Sequence, residues 1–117
     1  MKGSLKMEPR LGLRLGTKKF VTVDSDAVTS IDYSQKLKLL EVEFRDNQKI
    51  YHYLQVSKSI YENLLKLKKI KESLKVSGEK DPEHNYSIGK FINLEVKPRY
   101  DYYDLSVSGR RRGIDLT

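Results

Sequence analysis

Apolar and polar positions first settle into order near Phe20. Phe20-Val21-Thr22-Val23 and Val28 to Tyr33 are short runs of β-formers separated by the turn-prone Asp24-Ser25-Asp26, and they predict two short strands. The clearest pattern is Leu39 to Leu54, two β-rich runs on either side of Asp46-Asn47, a pair suited to the positive φ of a tight hairpin turn. With those two residues as the loop, Leu40 faces Tyr53 and Val42 faces Tyr51. Alternation then places Leu40, Val42, Tyr51 and Tyr53 on one face and Glu41, Glu43 and His52 on the other, the pattern of a half-buried sheet.

After the hairpin the period changes. Ser57 or Ser59 is positioned to cap a helix, and Ser59-Ile60-Tyr61-Glu62 has the spacing of a capping box. Ile60, Tyr61, Leu64 and Leu65 share one side of that helix. The stripe does not continue: Leu67, Ile70 and Leu74 cluster about a third of a turn away, and Lys68, Lys71 and Lys75 occupy the former apolar side. Either the helix breaks near Leu67 or its second half packs differently. Ser77 to Pro82 reads as a loop, and Ser87 to Asn93 as a tight turn entering a short helix that buries Phe91, Ile92 and Val96. These elements predict an α+β domain: a small antiparallel sheet of three or four strands with its central hairpin at 39–54, packed by one main helix at about 58–75 and a short C-terminal helix.

Charge sharpens the division of the chain. The formal net charge is +7, yet residues 1–19 hold +5 and residues 105–117 hold +2, so residues 20–104 are neutral, with 14 basic against 14 acidic residues. The expected organisation is a basic flexible arm (1–19), a folded core (20–104) carrying an inserted segment at about 66–86, and a basic tail (105–117). With no cysteine, the chain has no disulfides, thiolate zinc sites or cysteine nucleophiles. No stretch approaches the roughly 18 apolar residues of a membrane span, and no apolar core of a signal peptide is present. The expectation is a cytoplasmic protein of bacterial or phage origin without membrane association.

The order of several short pieces resembles a known family. Thr29-Ser30-Ile31-Asp32-Tyr33, Leu40 to Phe44, Ile50-Tyr51-His52-Tyr53, Val56 with Ile60-Tyr61, and Ser87-Ile88-Gly89-Lys90-Phe91-Ile92-Asn93 with Tyr100 are similar to a KTSC domain over roughly residues 25–102. That family is named after the C-terminus of some lysyl-tRNA synthetases and has Y-x-Y as its hallmark, here Tyr51-His52-Tyr53. The chain departs from the pattern with Asn47 at a usual turn glycine, Ser57 at a usual proline, and about twenty residues from Lys66 to Tyr86 between the helix and the S-x-G turn. The resemblance implies the fold, and by the family's association with a synthetase it suggests RNA.

Candidate chemistry lies in charge and aromatics. Arg110-Arg111-Arg112 is the most concentrated positive site, and arginine's planar fork suits phosphate. Lys68, Lys71 and Lys75 form a stripe in a segment (58–80) of net +4, and Lys18 and Lys19 end the N-terminal arm. Tyr53, Tyr102 and Tyr103 are candidate stacking residues, with core packing the competing role for Tyr51 and Tyr53. His52 reads as an exposed residue of the polar face. His52 and His84 lack the spacing of a metal site, and neither G-x-x-x-x-G-K nor G-x-S-x-G occurs, so no catalytic residue, metal or cofactor is expected. The leading expectation is a non-catalytic module that binds nucleic acid, RNA favoured, through basic tails and the lysine-rich insertion. The alternative is a protein-interaction or host-modulating adaptor that self-associates or binds a partner through Leu67, Ile70 and Leu74.

Overall fold

Strand alternation along Val28–Ser34 (β2), Leu39–Phe44 (β3) and Ile50–Tyr53 (β4) builds an antiparallel meander, widened by Val21–Thr22 (β1), Tyr102–Asp104 (β5) and Arg111–Arg112 (β6). The computed structural model describes residues 14–23, 25, 27–46, 48–80, 85–105 and 111–112. Strand order follows chain order, β1 to β6. The hairpin has the expected register, Leu40 opposite Tyr53 and Val42 opposite Tyr51. The ladder closes at Phe44, whose N–H donates to the Lys49 carbonyl at 2.8 Å, so the loop is longer than the two residues expected, and Gln48 takes the positive φ of 56°. Asn47 lies outside the described residues.

One face of the sheet carries Ile31, Tyr33, Leu40, Val42 and Tyr53, all buried, and receives Tyr61 and Leu64 from the helix Lys58–Ser77 (α1). Tyr33 and Tyr61 stack at 5.3 Å, and the Tyr33 hydroxyl donates to the Val56 carbonyl at 2.6 Å, which ties the entry of α1 to the sheet. Burial raises the Tyr33 hydroxyl pKa and pushes that of Tyr61 up to about 12, with Asp32 adding to the latter. Ser57 occupies the N-cap but its side chain bonds Ser59 Oγ instead of a helix N–H, and Glu62 lies 3.8 Å from Lys58. The expected capping box is therefore not formed. With Ser57 at the cap, Ser59 sits inside the first turn and its hydroxyl is engaged by Ser57 Oγ at 2.9 Å.

The change of stripe in α1 does not break the helix. Twenty residues run without interruption to Gly78, whose φ of +80° lets its N–H close on the Leu74 and Lys75 carbonyls. The second half packs differently: Leu67 and Leu74 are half-buried, Ile70 is 37% exposed and Val76 89% exposed. Against this half lies the short helix Ile88–Phe91 (α2), continued by a π turn at Ile92–Val96. Ser87 accepts the Lys90 N–H at 3.1 Å, and Gly89 packs so tightly on Ala27 that a Cβ there would stand 2.7 Å from the Ala27 Cβ. These two constraints account physically for the S-x-G spacing. No described helix is long and apolar enough to cross a membrane.

Candidate nucleic-acid interface

The second half of α1 and the helix α2 enclose a cleft of about 960 Å³. Lys68, Lys71 and Lys75 of α1 form one wall, Lys90, Asn93 and Leu94 another, and Lys80 and Glu79 the rim. Its floor is Ala27, Leu74, Ile88 and Gly89. The lysine stripe read from the sequence thus faces a concavity, not an open helix surface. Lys68 Nζ lies 2.5 Å from Glu72 Oε2, and the side chains of Lys75, Lys80 and Lys90 are exposed. Five lysines against Glu72 and Glu79 leave the cleft positive. Lys80 and Lys90 were not singled out in the sequence because they lie outside α1 and converge with it only through the packing of α2.

The remaining candidate bases are dispersed. Lys18 is exposed, while Lys19 places Nζ 5.7 Å above the Tyr33 ring and its carbonyl accepts the Tyr61 hydroxyl. Arg111 and Arg112 form the edge strand β6, Arg111 opposite Tyr103; their side chains and all of Arg110 lie outside the described residues.

The tyrosines separate by burial. Tyr53 and Tyr103 are buried and present no ring face to a ligand, so neither serves as an exposed stacking residue. Tyr102 is half-buried and joins a strip not anticipated as a unit: it stacks on Tyr51 at 4.4 Å and 24°, Tyr51 meets Phe44 edge-on at 5.2 Å, and Lys97 Nζ stands 5.1 Å above the Phe44 ring. Burial and the neighbouring Tyr51 and Tyr102 raise the Tyr53 hydroxyl pKa well above its ordinary value.

The opposite face of the sheet corrects the expected exposure of His52. Its register row runs Asp32, Glu41, His52, Tyr103, and every member is buried. Arg14 to Thr17 cover this row, although sequence composition assigns them to a flexible arm. Arg14 Nε donates to Glu41 Oε2 at 2.9 Å, the Leu15 N–H to Glu41 Oε1 at 2.9 Å, and the Thr17 N–H and hydroxyl to Asp32. His52 Nε2 lies 3.0 Å from Glu41 Oε1. Burial by itself raises the Glu41 pKa, but the hydrogen bonds from His52, Arg14 and Leu15 outweigh it and hold the carboxyl at about 2. A second apolar cluster of Leu39, Leu54, Tyr103 and Leu105, with Leu15 against it, completes this face. Among the described residues no group of three acids or histidines could hold a metal ion.

Comparison with known proteins places the fold. Residues 24–72 match the model of the KTSC domain. Among solved structures the chain is similar to a KTSC domain protein from Yersinia pestis, with a TM-score of 0.54 and 21% identity over 73% of this chain and 93% of that one. At that identity the likeness is one of fold. No curated protein matches the chain significantly. The matched residues hold β2, β3, β4 and most of α1, the hairpin bearing Tyr51-His52-Tyr53 among them, so over this stretch the chain is similar to the KTSC domain.

Proposed function

We propose that this chain is a non-catalytic nucleic-acid-binding module, RNA favoured, which holds a phosphate backbone in the lysine cleft between α1 and α2. The carrying observation is the convergence of Lys68, Lys71 and Lys75 with Lys80 and Lys90 on one concave surface. Lysine side chains at such a surface neutralise phosphates and release condensed counterions, so affinity falls steeply with salt. The preference for RNA rests on the resemblance to synthetase-borne domains. The non-catalytic part draws on His52, the only histidine among the described residues, whose ring is buried under Arg14 to Thr17 and committed to Glu41. Charge reversal at Lys71 and Lys75 tests the cleft: affinity for single-stranded RNA should fall at least tenfold, with a shallower dependence on log salt by about one per lysine removed.

The adaptor reading draws on a different observation. Ile70 and Val76 on α1 and Leu94 on the π turn are exposed, Val76 at 89% and Leu94 at 58%. Sedimentation of the full chain over a concentration series discriminates: a monomer throughout weakens self-association, and a dimer lost on Val76→Asp supports it.

A further inference from the structure

We propose that the strip formed by Phe44, Tyr51 and Tyr102, with Lys97 beside it, is a base-stacking subsite that selects single-stranded nucleic acid. The inference rests on the backbone-binding reading above and adds to it the part of the ligand that is recognised. On the sheet face that receives α1, Tyr33 of β2 and Tyr53 of β4 are buried, while Phe44 at the end of β3, Tyr51 of β4 and Tyr102 of β5 stay half-exposed. The three rings are contiguous: Tyr51 and Tyr102 stack at 4.4 Å, and Tyr51 meets Phe44 at 5.2 Å. Such a strip offers a π-face to any unpaired base, and stacking of this kind tolerates sequence.

A further observation points to a ligand. Lys97 is exposed with Nζ 5.1 Å above Phe44, and among the described residues no carboxylate pairs with it, which leaves a cation at the end of the strip. The π turn Ile92–Val96 lies between the two sites in sequence, with Asn93 and Leu94 in the lysine cleft and Lys97 over Phe44. One strand in the cleft therefore has the aromatic strip on the far side of that turn. A duplex, whose bases are stacked on each other, gains nothing from the strip.

The test is anisotropy with labelled single-stranded RNA, single-stranded DNA of the same sequence, an abasic strand of the same length, and duplex DNA. The expected result is about tenfold tighter binding of the base-bearing strands than of the abasic strand. Tyr102→Leu should abolish that difference, Tyr102→Phe should keep it, and Lys97→Met, a change at an exposed side chain, should reduce it. RNA and DNA strands bound alike support stacking alone, and RNA bound more tightly supports stacking with recognition of the 2′-hydroxyl. Equal affinity for base-bearing and abasic strands overturns this inference and leaves the backbone reading standing. Absence of binding to any strand at low salt overturns both.

Discussion

Glu41 shows how much a single buried side chain decides. Its carboxylate has no exposed surface and is held by Arg14, the Leu15 N–H and His52, so its folded pKa of about 2 lies below the ordinary 4.5. A depressed carboxylate stabilises the fold fully above the unfolded value and loses that stabilisation as pH falls from 4.5 through 2. The difference is worth about 3 kcal/mol. Glu41→Gln is therefore expected to lower stability by about 3 kcal/mol in urea melts at pH 7, and the gap from wild type should narrow at pH 3. This residue was legible in sequence as a member of a polar sheet face, but its partners were not. Alternation says which face a side chain takes, whereas the cover over that face comes from Arg14 to Thr17, whose single base, leucine and glycine carry no periodic signal.

At the scale of elements, packing separates two halves of one helix. Leu64 is fully buried against the sheet and Ile70 is 37% exposed, so Leu64→Ala should cost about 2–5 kcal/mol and Ile70→Ala under about 1 kcal/mol by chemical denaturation. The α2 contact is stricter. A methyl at Gly89 meets Ala27 Cβ at 2.7 Å, and Gly89→Ala is expected to destabilise by about 1–3 kcal/mol, with Ala27→Gly in the same chain restoring much of the loss. No restoration in the double variant would place the cause elsewhere. The hairpin, its register and the main helix were legible because each has a period long enough to read. Strands β5 and β6 were not, at three and two residues. The shift of stripe at Leu67 is visible in the sequence, but the unbroken run of α1 to Ser77 and the placing of α2 against it belong to the tertiary structure, which makes the second half a cleft wall.

Over the whole molecule, a neutral core frames one positive concavity. Sequence charge is +5 in residues 1–19 and +2 in residues 105–117, which draws attention to the tails, yet the lysines that share a surface among the described residues belong to the cleft. Lys80 and Lys90 were invisible as partners of Lys71 and Lys75 because convergence depends on tertiary packing, and a count of charge along the chain does not register it. The aromatic strip was partly legible: Tyr102 was among the candidates, Tyr53 and Tyr103 are buried, and the half-exposure of Tyr51 beside the buried Tyr53 emerges only from the packing. The most direct test is a salt series of RNA-binding anisotropy for the wild-type chain and the Lys71→Glu, Lys75→Glu double variant, with thermal melts to show that both are folded. The account predicts wild-type binding that weakens steeply with salt, and in the variant at least a tenfold loss with a slope shallower by about two. Equal affinity and slope for the two proteins, or no wild-type binding at low salt, contradicts it.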